Sequence, residues 1–421
     1  MSCYAVMHPL EGMEQMAQSQ WTAMLRKLGH QVEVHALRSP HEDPRANLPG
    51  FISRVLKNSP EIIFVEGAIG FNVPEFYLHP EIRRVPVAAF WFDAPIRPVD
   101  YRRREPGWLD AWRLPNVHHF VWDGYWRRWL AQRHGIRSFP IHLAADAEEF
   151  HPLPQPPEYR EHAVFIGTLV SPQHVEEQKA RLPPVLQRIA RALPSAIARA
   201  AYGANPFQLL DNVIAGMPSK INVAFQTLEE AQPEEVLRLR SVAWMLAKNE
   251  TRLRILRGAL EVGPLLMLCG NFEQTHASGG QVRSMLRKGG KRLVVRDTRG
   301  LETAALGDLY AHGRIHIQAT DPQSVEGGIP FRVFQTTACR RPLLTDPRPE
   351  LAECYACGQE ILIFESEKDF PSALQRALAE AGTLDAIAQA GHERFRKEHT
   401  WEHRFGHVTR TIASARAGSG G

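Results

Sequence analysis

The chain has 421 residues, of which 44% are hydrophobic and 23% charged, so a disordered or fibrous protein is excluded and two domains of ordinary size are expected. Fifty Lys and Arg against 46 Asp and Glu leave a formal net charge of +4, too small an excess to indicate a nucleic-acid partner by itself. No apolar run reaches the roughly 18 to 20 residues of a membrane-spanning helix, and residues 1–7 lack a secretory signal. We therefore expect a cytoplasmic protein of two domains without a transmembrane segment.

The first 150 residues alternate short apolar runs with helical patterns. The apolar runs predict strands at residues 3–7, 31–37, 62–65, 87–91, 119–122 and 139–143. After the first run, Met16, Trp21, Met24 and Leu25 recur at helical spacing, and Gly29 follows as a helix stop. Because alternating strands and helices are typical of a parallel, doubly wound sheet, residues 1–150 are predicted to form a Rossmann-like domain.

A proline-rich linker over residues 150–157 separates this region from a second α/β pattern. The strands predicted after it are 163–166, 264–269, 292–295, 315–318, 341–345 and 361–364. A helical insertion over about 175–260 interrupts this second domain, which we expect to span 151–415, with a disordered tail at 416–421. Two doubly wound domains in series place a ligand site in the cleft between them, at the carboxyl ends of the strands.

The most informative local pattern is the glycine-containing segment 326–335, which follows the predicted strand 315–318. Its residues Glu326, Gly327, Gly328, Ile329 and Pro330 lead into a helix, because proline is favoured in the first helical turn. Glycines before a helix allow an anion to approach backbone N–H groups, where the helix dipole also favours negative charge. Arg332 and Gln335 share one face of that helix and would supply a cation and an amide. A glycine turn before a core-packed helix is the alternative.

Two more glycines follow predicted strands in the second domain. Gly167 and Thr168 come after strand 163–166, and Gly270 and Asn271 come after strand 264–269. Each pair is a candidate phosphate loop. The P-loop GxxxxGK[ST] and the dinucleotide fingerprint GxGxxG are both absent from the sequence, so nucleotide hydrolysis of the P-loop type and dinucleotide binding through that fingerprint are disfavoured.

Further candidate site residues lie in the first domain. Asp93 follows strand 87–91 and is a candidate to orient a substrate hydroxyl or to act as a general base; an Asp that opens a turn is the alternative. His8, which follows the first strand, is a further catalytic candidate, with Gly12 nearby. Residues 91–129 interleave tryptophans with arginines, and such surfaces can stack on sugars or bases. From that region Trp91, Arg97 and Arg102 are candidate binding residues, although a tryptophan core with solvated arginines is the alternative.

A metal site is not expected. The pair Cys354 and Cys357 forms one CxxC, without the second pair that a structural zinc site needs.

Several short sequence motifs together resemble a known family. In the second half they are AVFIGT at 163–168, RIHI at 314–317, GIPFRVFQTTAC at 328–339, LLTD at 343–346, QE at 359–360, AG at 390–391 and HTWEHR at 399–404. Looser matches in the first half are LGHQV at 28–32, WFDAP at 91–95 and AADAEEFHP at 144–152. Their order and spacing resemble the glycosyltransferase group 1 superfamily, and within it the spore maturation protein CgeB family.

The resemblance implies a GT-B architecture, in which an N-terminal acceptor domain and a C-terminal nucleotide-sugar domain face a cleft. It implies a metal-independent glycosyl transfer with no cofactor, and it favours a retaining outcome. The loop 326–330 would hold the diphosphate and the donor sugar, and Arg332 would stabilise negative charge on the leaving group. In the first domain, Asp93 and His8 would act on the acceptor, and the residues expected to contact it are Gly12, Trp91, Arg97 and Arg102. The implied partners are a nucleotide sugar, such as a UDP-sugar, and an acceptor that is a saccharide, a protein, a small molecule or a nucleic acid.

Two departures from the family pattern keep other functions open. Gln335 stands where the family usually has Glu, and a neutral amide accepts weaker hydrogen bonds from ribose hydroxyls than a carboxylate does. Arg340 replaces the family's glycine. A GT-B relic that binds or scaffolds without catalysis is therefore one alternative. A nucleic-acid-modifying glycosyltransferase is the other, because of the arginine- and tryptophan-rich region.

Overall fold

A computed structural model of the chain describes residues 2–8, 16–37, 44–67, 70–71, 73–95, 107–269, 284, 287–298 and 306–418. The chain forms two compact units: unit 1 is Met1–Asp146 with Glu398–Gly421, and unit 2 is Ala147–Lys397. Residues 398–415, which we expected in the second domain, are part of unit 1. The roles of acceptor and donor domain stay predictions.

The described residues of unit 1 form one six-stranded parallel sheet. Its strands are β1 (Cys3–His8), β2 (Gln31–Ala36), β3 (Ile62–Glu66), β4 (Val87–Trp91), β5 (Val117–Val121) and β6 (Ser138–Pro140). They are ordered β2-β1-β3-β4-β5-β6. Every residue of β3, β4 and β5 is buried, as expected for the central strands of a parallel sheet that is covered on both faces.

The helices of unit 1 complete its core. They are α1 (Met16–Lys27), α2 (Leu48–Leu56), α3 (Pro74–Leu78), α4 (Trp108–Trp112) and α5 (Gly124–His134), with short 3₁₀ turns at Pro44–Asn47 and Ile82–Arg84. The last helix of the chain, Trp401–Gly418, belongs to the same unit. Its Trp401 indole N–H donates a 2.6 Å hydrogen bond to the buried Gln20 Oε1 of α1, which ties the end of the chain to the first helix.

The described residues of unit 2 form a second parallel six-stranded sheet. Its strands are β7 (Ala163–Ile166), β8 (Leu265–Cys269), β9 (Leu293–Asp297), β10 (Ile315–Gln318), β11 (Leu343–Thr345) and β12 (Leu362–Ile363). Their order is β12-β11-β10-β7-β8-β9. The chain thus winds from β7 toward β9 and then returns to the other side of β7, which makes the gap between β7 and β10 the topological switch point.

Five helices connect β7 to β8, where the helical insertion was predicted. They are α6 (Pro172–Ala180), α7 (Pro184–Arg199), α8 (Pro206–Ala215), α9 (Ser219–Ala231) and α10 (Pro233–Val262). The 30-residue α10 is buried on most of its faces, because α6, α7, α8 and α9 pack against it along with a later helix. Its buried residues are mostly apolar, but they also include Lys248 and Arg252.

The remaining helices follow the second half of the sheet. They are α11 (Leu306–Leu309), α12 (Phe331–Ala338), α13 (Leu351–Cys354), α14 (Phe370–Ala379), α15 (Ala381–Glu398) and α16 (Trp401–Gly418), with a 3₁₀ turn at Gly290–Arg292. The prediction of two doubly wound α/β sheets with a helical insertion in the second is confirmed. No helix within the described ranges combines the length and apolar character that crossing a membrane requires.

Candidate functional site

The switch point of the second sheet gathers charged and polar residues from three segments. Gly167 and Thr168 follow β7, Thr320 and Asp321 follow β10, and helix α10 passes beside both loops. Ligands of open α/β sheets bind at this position, outside the carboxyl ends of the strands. We therefore take this edge of unit 2 as the candidate site.

A buried carboxylate organises the site. Asp321 accepts a 2.5 Å hydrogen bond from the Trp244 indole N–H, and its other oxygen lies 3.1 Å from Lys248 Nζ and 3.2 Å from Arg252 Nη2. Trp244, Lys248 and Arg252 are spaced by four along α10 and so share one face of that helix. Lys248 also lies 4.8 Å from the centre of the Trp244 ring. The two cations hold the pKa of Asp321 well below its usual range, although burial opposes them.

Arg252 links the two loops of the switch point. It is 2% exposed, and its guanidinium donates to the carbonyl oxygen of Thr168 while pairing with Asp321. Burial lowers the pKa of Arg252 to about 10, and the positive charge of Arg332 acts in the same direction. Arg332 is therefore near enough to Arg252 for its charge to influence the pKa of Arg252. Its Nε is buried and has no hydrogen-bond partner within the described part of the chain.

A second carboxylate lies at the end of the neighbouring strand. Asp346 follows β11 and accepts hydrogen bonds from the backbone N–H and hydroxyl of Thr320, at 3.0 and 2.7 Å. Arg348 Nη2 lies 2.9 Å from the other carboxylate oxygen, and Arg348 Nη1 donates to Ser324 O. We call six charged residues the switch-point cluster: Lys248, Arg252, Asp321, Arg332, Asp346 and Arg348. It holds four positive and two negative side chains.

One hydroxyl beside the cluster lacks a partner. Tyr202 follows α7, and its hydroxyl oxygen is buried with no hydrogen bond to any described residue. Burial, followed by the negative charge of Asp346, raises its pKa, so the phenol is a neutral donor. An unsatisfied buried donor beside an excess of positive charge is what a site for an oxygen-rich anion presents.

The glycine loop lies where the sequence predicts it, directly before α12. Gly327, Gly328 and Ile329 are buried, and Glu326 and Pro330 are half-buried. A Cβ at Gly327 would approach the Glu350 side chain to 2.8 Å, so the loop packs closely there.

Gln335 lies one turn into α12. It is 5% exposed, and its Oε1 accepts a 2.5 Å hydrogen bond from the Tyr310 hydroxyl. In this structure that oxygen is engaged inside unit 2. Its predicted role toward a donor stays a prediction.

With this geometry established, the chain can be compared with known proteins. Residues 272–410 match the model of a glycosyl transferase-like family. The matching region contains the glycine loop, Arg332, Asp321, Asp346 and Arg348, and it supports the resemblance to the glycosyltransferase group 1 superfamily. The closer resemblance to the CgeB family stays a prediction. None of the curated proteins matches the chain.

Several solved structures share the fold over nearly the whole chain. A glycosyltransferase from Rickettsia africae has a TM-score of 0.56 at 9% identity and covers 98% of both chains. Sucrose-phosphate synthase from Thermosynechococcus elongatus gives 0.54 at 12% identity and covers 99% of this chain and 100% of its own. Anabaena HepE in complex with UDP gives 0.52 at 11% identity, over 98% and 100%. The predicted GT-B fold class is thus confirmed, and the low identities limit the conclusion to the fold.

Some predicted residues cannot be placed in this site. Gly270, Asn271, Gly12, Arg97 and Arg102 lie outside the described residues. His8 ends β1, and its side chain is likewise outside the description. Their predicted roles stay predictions.

The acceptor candidates of unit 1 differ in exposure. Asp93 follows β4 and is half-buried, at the same edge of the sheet as the buried Glu66 that ends β3. Trp91 has no exposed surface, and its indole N–H donates to His119 Nδ1 at 3.1 Å. Burial lowers the pKa of His119 to about 4, so the imidazole is a neutral acceptor. Trp91 is therefore a core residue, and its position gives no support to the acceptor contact we expected.

Most of the neighbouring tryptophans are buried as well. Trp112, Trp122 and Trp126 are at most 3% exposed, whereas Trp108 and Trp129 are half-buried. The alternative of a tryptophan core accounts for the buried residues. Groups of three or more His, Cys, Asp or Glu placed to hold a metal ion do not occur within the described ranges.

Sequence reasoning missed Lys248, Arg252 and Asp321. A signal was present, because Trp244, Lys248 and Arg252 recur every four residues and the same line of the helix continues with the apolar Leu256 and Leu260. Long charged side chains are seldom fully buried unless they are paired. Two cations on a core-facing stripe therefore call for a carboxylate elsewhere in the fold.

Proposed function

We propose that the chain is a glycosyltransferase that moves a sugar from a nucleotide-sugar donor to an acceptor whose identity is open. The donor diphosphate would bind at the switch-point cluster of unit 2. Metal independence and retention of anomeric configuration are part of the proposal, and they rest on the resemblance to the group 1 superfamily.

One observation carries the proposal: the switch-point cluster brings four cationic side chains together, and it lies where α/β folds bind their ligands. A nucleoside diphosphate that leaves during transfer develops negative charge. Hydrogen bonds to a charged group are roughly twice as strong as neutral ones, and fixed cations in a partly buried site stabilise such charge without reorganising. A protein supplying Lys and Arg in this way has no need of a divalent ion for the same task.

The cluster suggests a division of roles. Arg332, with its unpartnered Nε, is the residue we assign to the leaving diphosphate. Lys248 and Arg252 are held by Asp321 and would add to the positive potential beside it. The glycine loop 326–330 would contact the donor sugar and phosphates. On the acceptor side, Asp93 would orient the attacking hydroxyl or accept its proton.

The test is a thermal-shift panel of UDP-, GDP-, TDP- and CMP-sugars on four proteins. They are the wild type, Arg332→Ala, Lys248→Met and the control Arg376→Ala, whose side chain is 66% exposed. UDP-glucose is the first donor to try, because HepE was solved with UDP-glucose. A ligand at 100 times its dissociation constant adds about 2.7 kcal/mol to the free energy of unfolding. We expect one nucleotide to raise the unfolding temperature of wild type and control, with a smaller rise in the two cluster variants.

The competing function is a non-catalytic relic, and Gln335 is the observation that favours it. Its amide oxygen is engaged by Tyr310 and nearly unexposed, and it stands where the resembled family usually has a carboxylate. Absence of a shift with every nucleotide sugar would support the relic and contradict the proposed transfer. A shift without nucleotide release in the presence of an acceptor library would support donor binding without turnover.

A further inference from the structure

A cavity lies in unit 2, at the edge of its sheet opposite to the switch-point cluster. Its volume is about 670 Å³, within the usual range of small-molecule sites. Glu161, Arg314 and Pro342 line it, and each comes just before a strand of the sheet, namely β7, β10 and β11. The cavity is therefore at the amino ends of the strands. The switch-point cluster is at their carboxyl ends, so the two sites are separate.

The lining is rich in arginine. Arg160, Arg314, Arg340 and Arg341 face the cavity, against the carboxylates of Glu161 and Asp385. Only one ion pair joins these described residues, a long contact of 3.8 Å between Arg314 and the mostly exposed Glu161. The walls thus carry two more positive than negative charges.

Two of these guanidinium groups have unused donors. The Nε atoms of Arg314 and Arg341 are buried and have no hydrogen-bond partner among the described residues. Arg341 donates from Nη2 to Leu153 O at 2.8 Å, which fixes its side chain at the cavity wall. Burial also lowers the pKa of Arg341, which shows that its charge is only partly solvated. Among the described side chains, Arg314 has only the long contact with Glu161, and the carboxylate of Asp385 acts on Arg341 electrostatically without forming an ion pair with it. The two buried Nε donors are therefore left for an anion to satisfy.

The backbone at Arg340 is an independent observation. Its φ is +51°, in the left-handed region that disfavours residues with a Cβ. The conformation follows α12 directly, at a position where glycine is the usual residue. An arginine held there is exposed, and its Nη1 reaches only a 3.5 Å contact with Gln389 Oε1. Strained residues often occur at ligand sites, so this conformation directs attention to the Arg340 side chain.

We propose that this cavity binds a small polar molecule carrying a phosphate monoester, at a site separate from the nucleotide-sugar site. Guanidinium groups present paired N–H donors that match the oxygens of phosphate. Arg340 and Arg341 are adjacent in the chain and both line the cavity, so both would donate hydrogen bonds to the phosphate oxygens. The excess of two positive charges matches the charge of a phosphate monoester near neutral pH. The ligand would bind whether or not a donor is present.

Isothermal titration with glycerol 2-phosphate tests the proposal, with glycerol as the uncharged control ligand. The proteins are wild type, Arg340→Gly, Arg341→Gln, the donor-site variant Arg332→Ala and the surface control Arg376→Gln. We expect binding of glycerol 2-phosphate and none of glycerol. Affinity should fall roughly tenfold or more in Arg340→Gly and Arg341→Gln, because each loses charged hydrogen bonds to phosphate. It should stay within about twofold in Arg332→Ala and Arg376→Gln.

Arg340→Gly keeps the test decisive if Arg341→Gln folds poorly. Glycine suits the left-handed backbone, so the variant should unfold at the wild-type temperature or above while its affinity falls. Failure of wild type to bind glycerol 2-phosphate would overturn the proposal. Unchanged affinity in Arg340→Gly, or loss of affinity in Arg332→Ala, would also overturn it, the second result assigning the phosphate to the donor site instead. The donor panel and this titration use different ligands, and the variants expected to lose affinity differ between them, so each hypothesis can fail alone.

Discussion

Replacing Asp321 by asparagine removes the carboxylate that neutralises Lys248 and Arg252 inside unit 2. The substitution keeps the size of the side chain and one oxygen that can accept from Trp244. It leaves two cations facing each other, with Arg252 only 2% exposed. We expect this single change to destabilise unit 2 strongly.

The magnitude follows from the geometry. Breaking a buried pair by removing one partner costs about 3–5 kcal/mol, and here one carboxylate serves two cations at 3.1 and 3.2 Å. The loss should lie in the upper part of that range. For a unit of this size each kcal/mol lowers the unfolding temperature by about 2–4 °C, so the unit 2 transition should shift by roughly 10 °C. Differential scanning calorimetry measures this shift.

Asp211→Asn is the matched control. Asp211 pairs with Arg240 at 3.2 Å on the surface, with its side chain 47% exposed, and exposed pairs contribute about 0–1 kcal/mol. A second variant, Asp321→Asn with Lys248→Met, should recover part of the loss, because it removes one of the uncompensated charges. If Asp321→Asn costs no more than Asp211→Asn, the argument that Asp321 holds the cluster together is refuted.

The pH dependence of the same carboxylate gives an internal check. The folded pKa of Asp321 is lowered by Lys248 and Arg252, while an unfolded Asp titrates near about 3.9. The stability linked to this group is therefore fully present above about pH 4 and is lost as the pH falls further toward the folded pKa. Asp321→Asn should lack this part of the acid destabilisation in urea unfolding between about pH 2 and 5.

Three further outcomes are expected. Gly167→Ala should destabilise unit 2 by about 1–3 kcal/mol, because its Cβ would lie 2.6 Å from the buried Phe165 ring. The control Gly263→Ala, which has open space at its Cβ, should change the stability little in the same calorimetric assay. Equal effects of the two substitutions would contradict this argument. Arg340→Gly should raise the free energy of unfolding by about 0.5–1 kcal/mol, since relief of the left-handed strain outweighs the entropy of an unfolded glycine; urea unfolding that shows a loss would refute the strain. Burial lowers the pKa of His119 from 6.5 to about 4. The stabilising contribution of the neutral imidazole is therefore present above pH 6.5 and is lost at about 1.4 kcal/mol per pH unit down to pH 4. If a His119→Gln variant loses stability with falling pH as steeply as the wild type in urea unfolding, the pH dependence does not come from His119.

The fold was predictable because its signals are local. The strands β7 and β10 are found at the residues that the apolar runs predict, since a strand buried on both faces needs an unbroken apolar stretch. The last strand of the first sheet was misplaced, because it begins at Ser138 and ends at Pro140 rather than running over 139–143. Proline has no N–H to donate and is tolerated at the end of an edge strand.

The site was only half predictable, for a physical reason. The glycine loop and Arg332 are contiguous in sequence, so helix-start chemistry alone indicates them. The pairing of Lys248 with Asp321 spans 73 residues, and no local rule joins them. Such a contact depends on the packing of α10 against the sheet, which periodicity indicates only as a buried face.

That packing explains what the helical region between β7 and β8 contributes. A parallel sheet needs only a short crossover from one strand to the next, yet the chain here inserts five helices and ends them with α10. Trp244, Lys248 and Arg252 are each one turn apart on α10, so all three side chains lie on one line along the helix. All three contact Asp321, and Arg252 also donates to the carbonyl oxygen of Thr168. These four contacts are expected to form together, because a buried cation is stable only when a carboxylate pairs with it. The insertion is thus part of the candidate site itself, and substitutions on this line of α10 should affect binding at the switch point even though they lie far from the glycine loop in sequence.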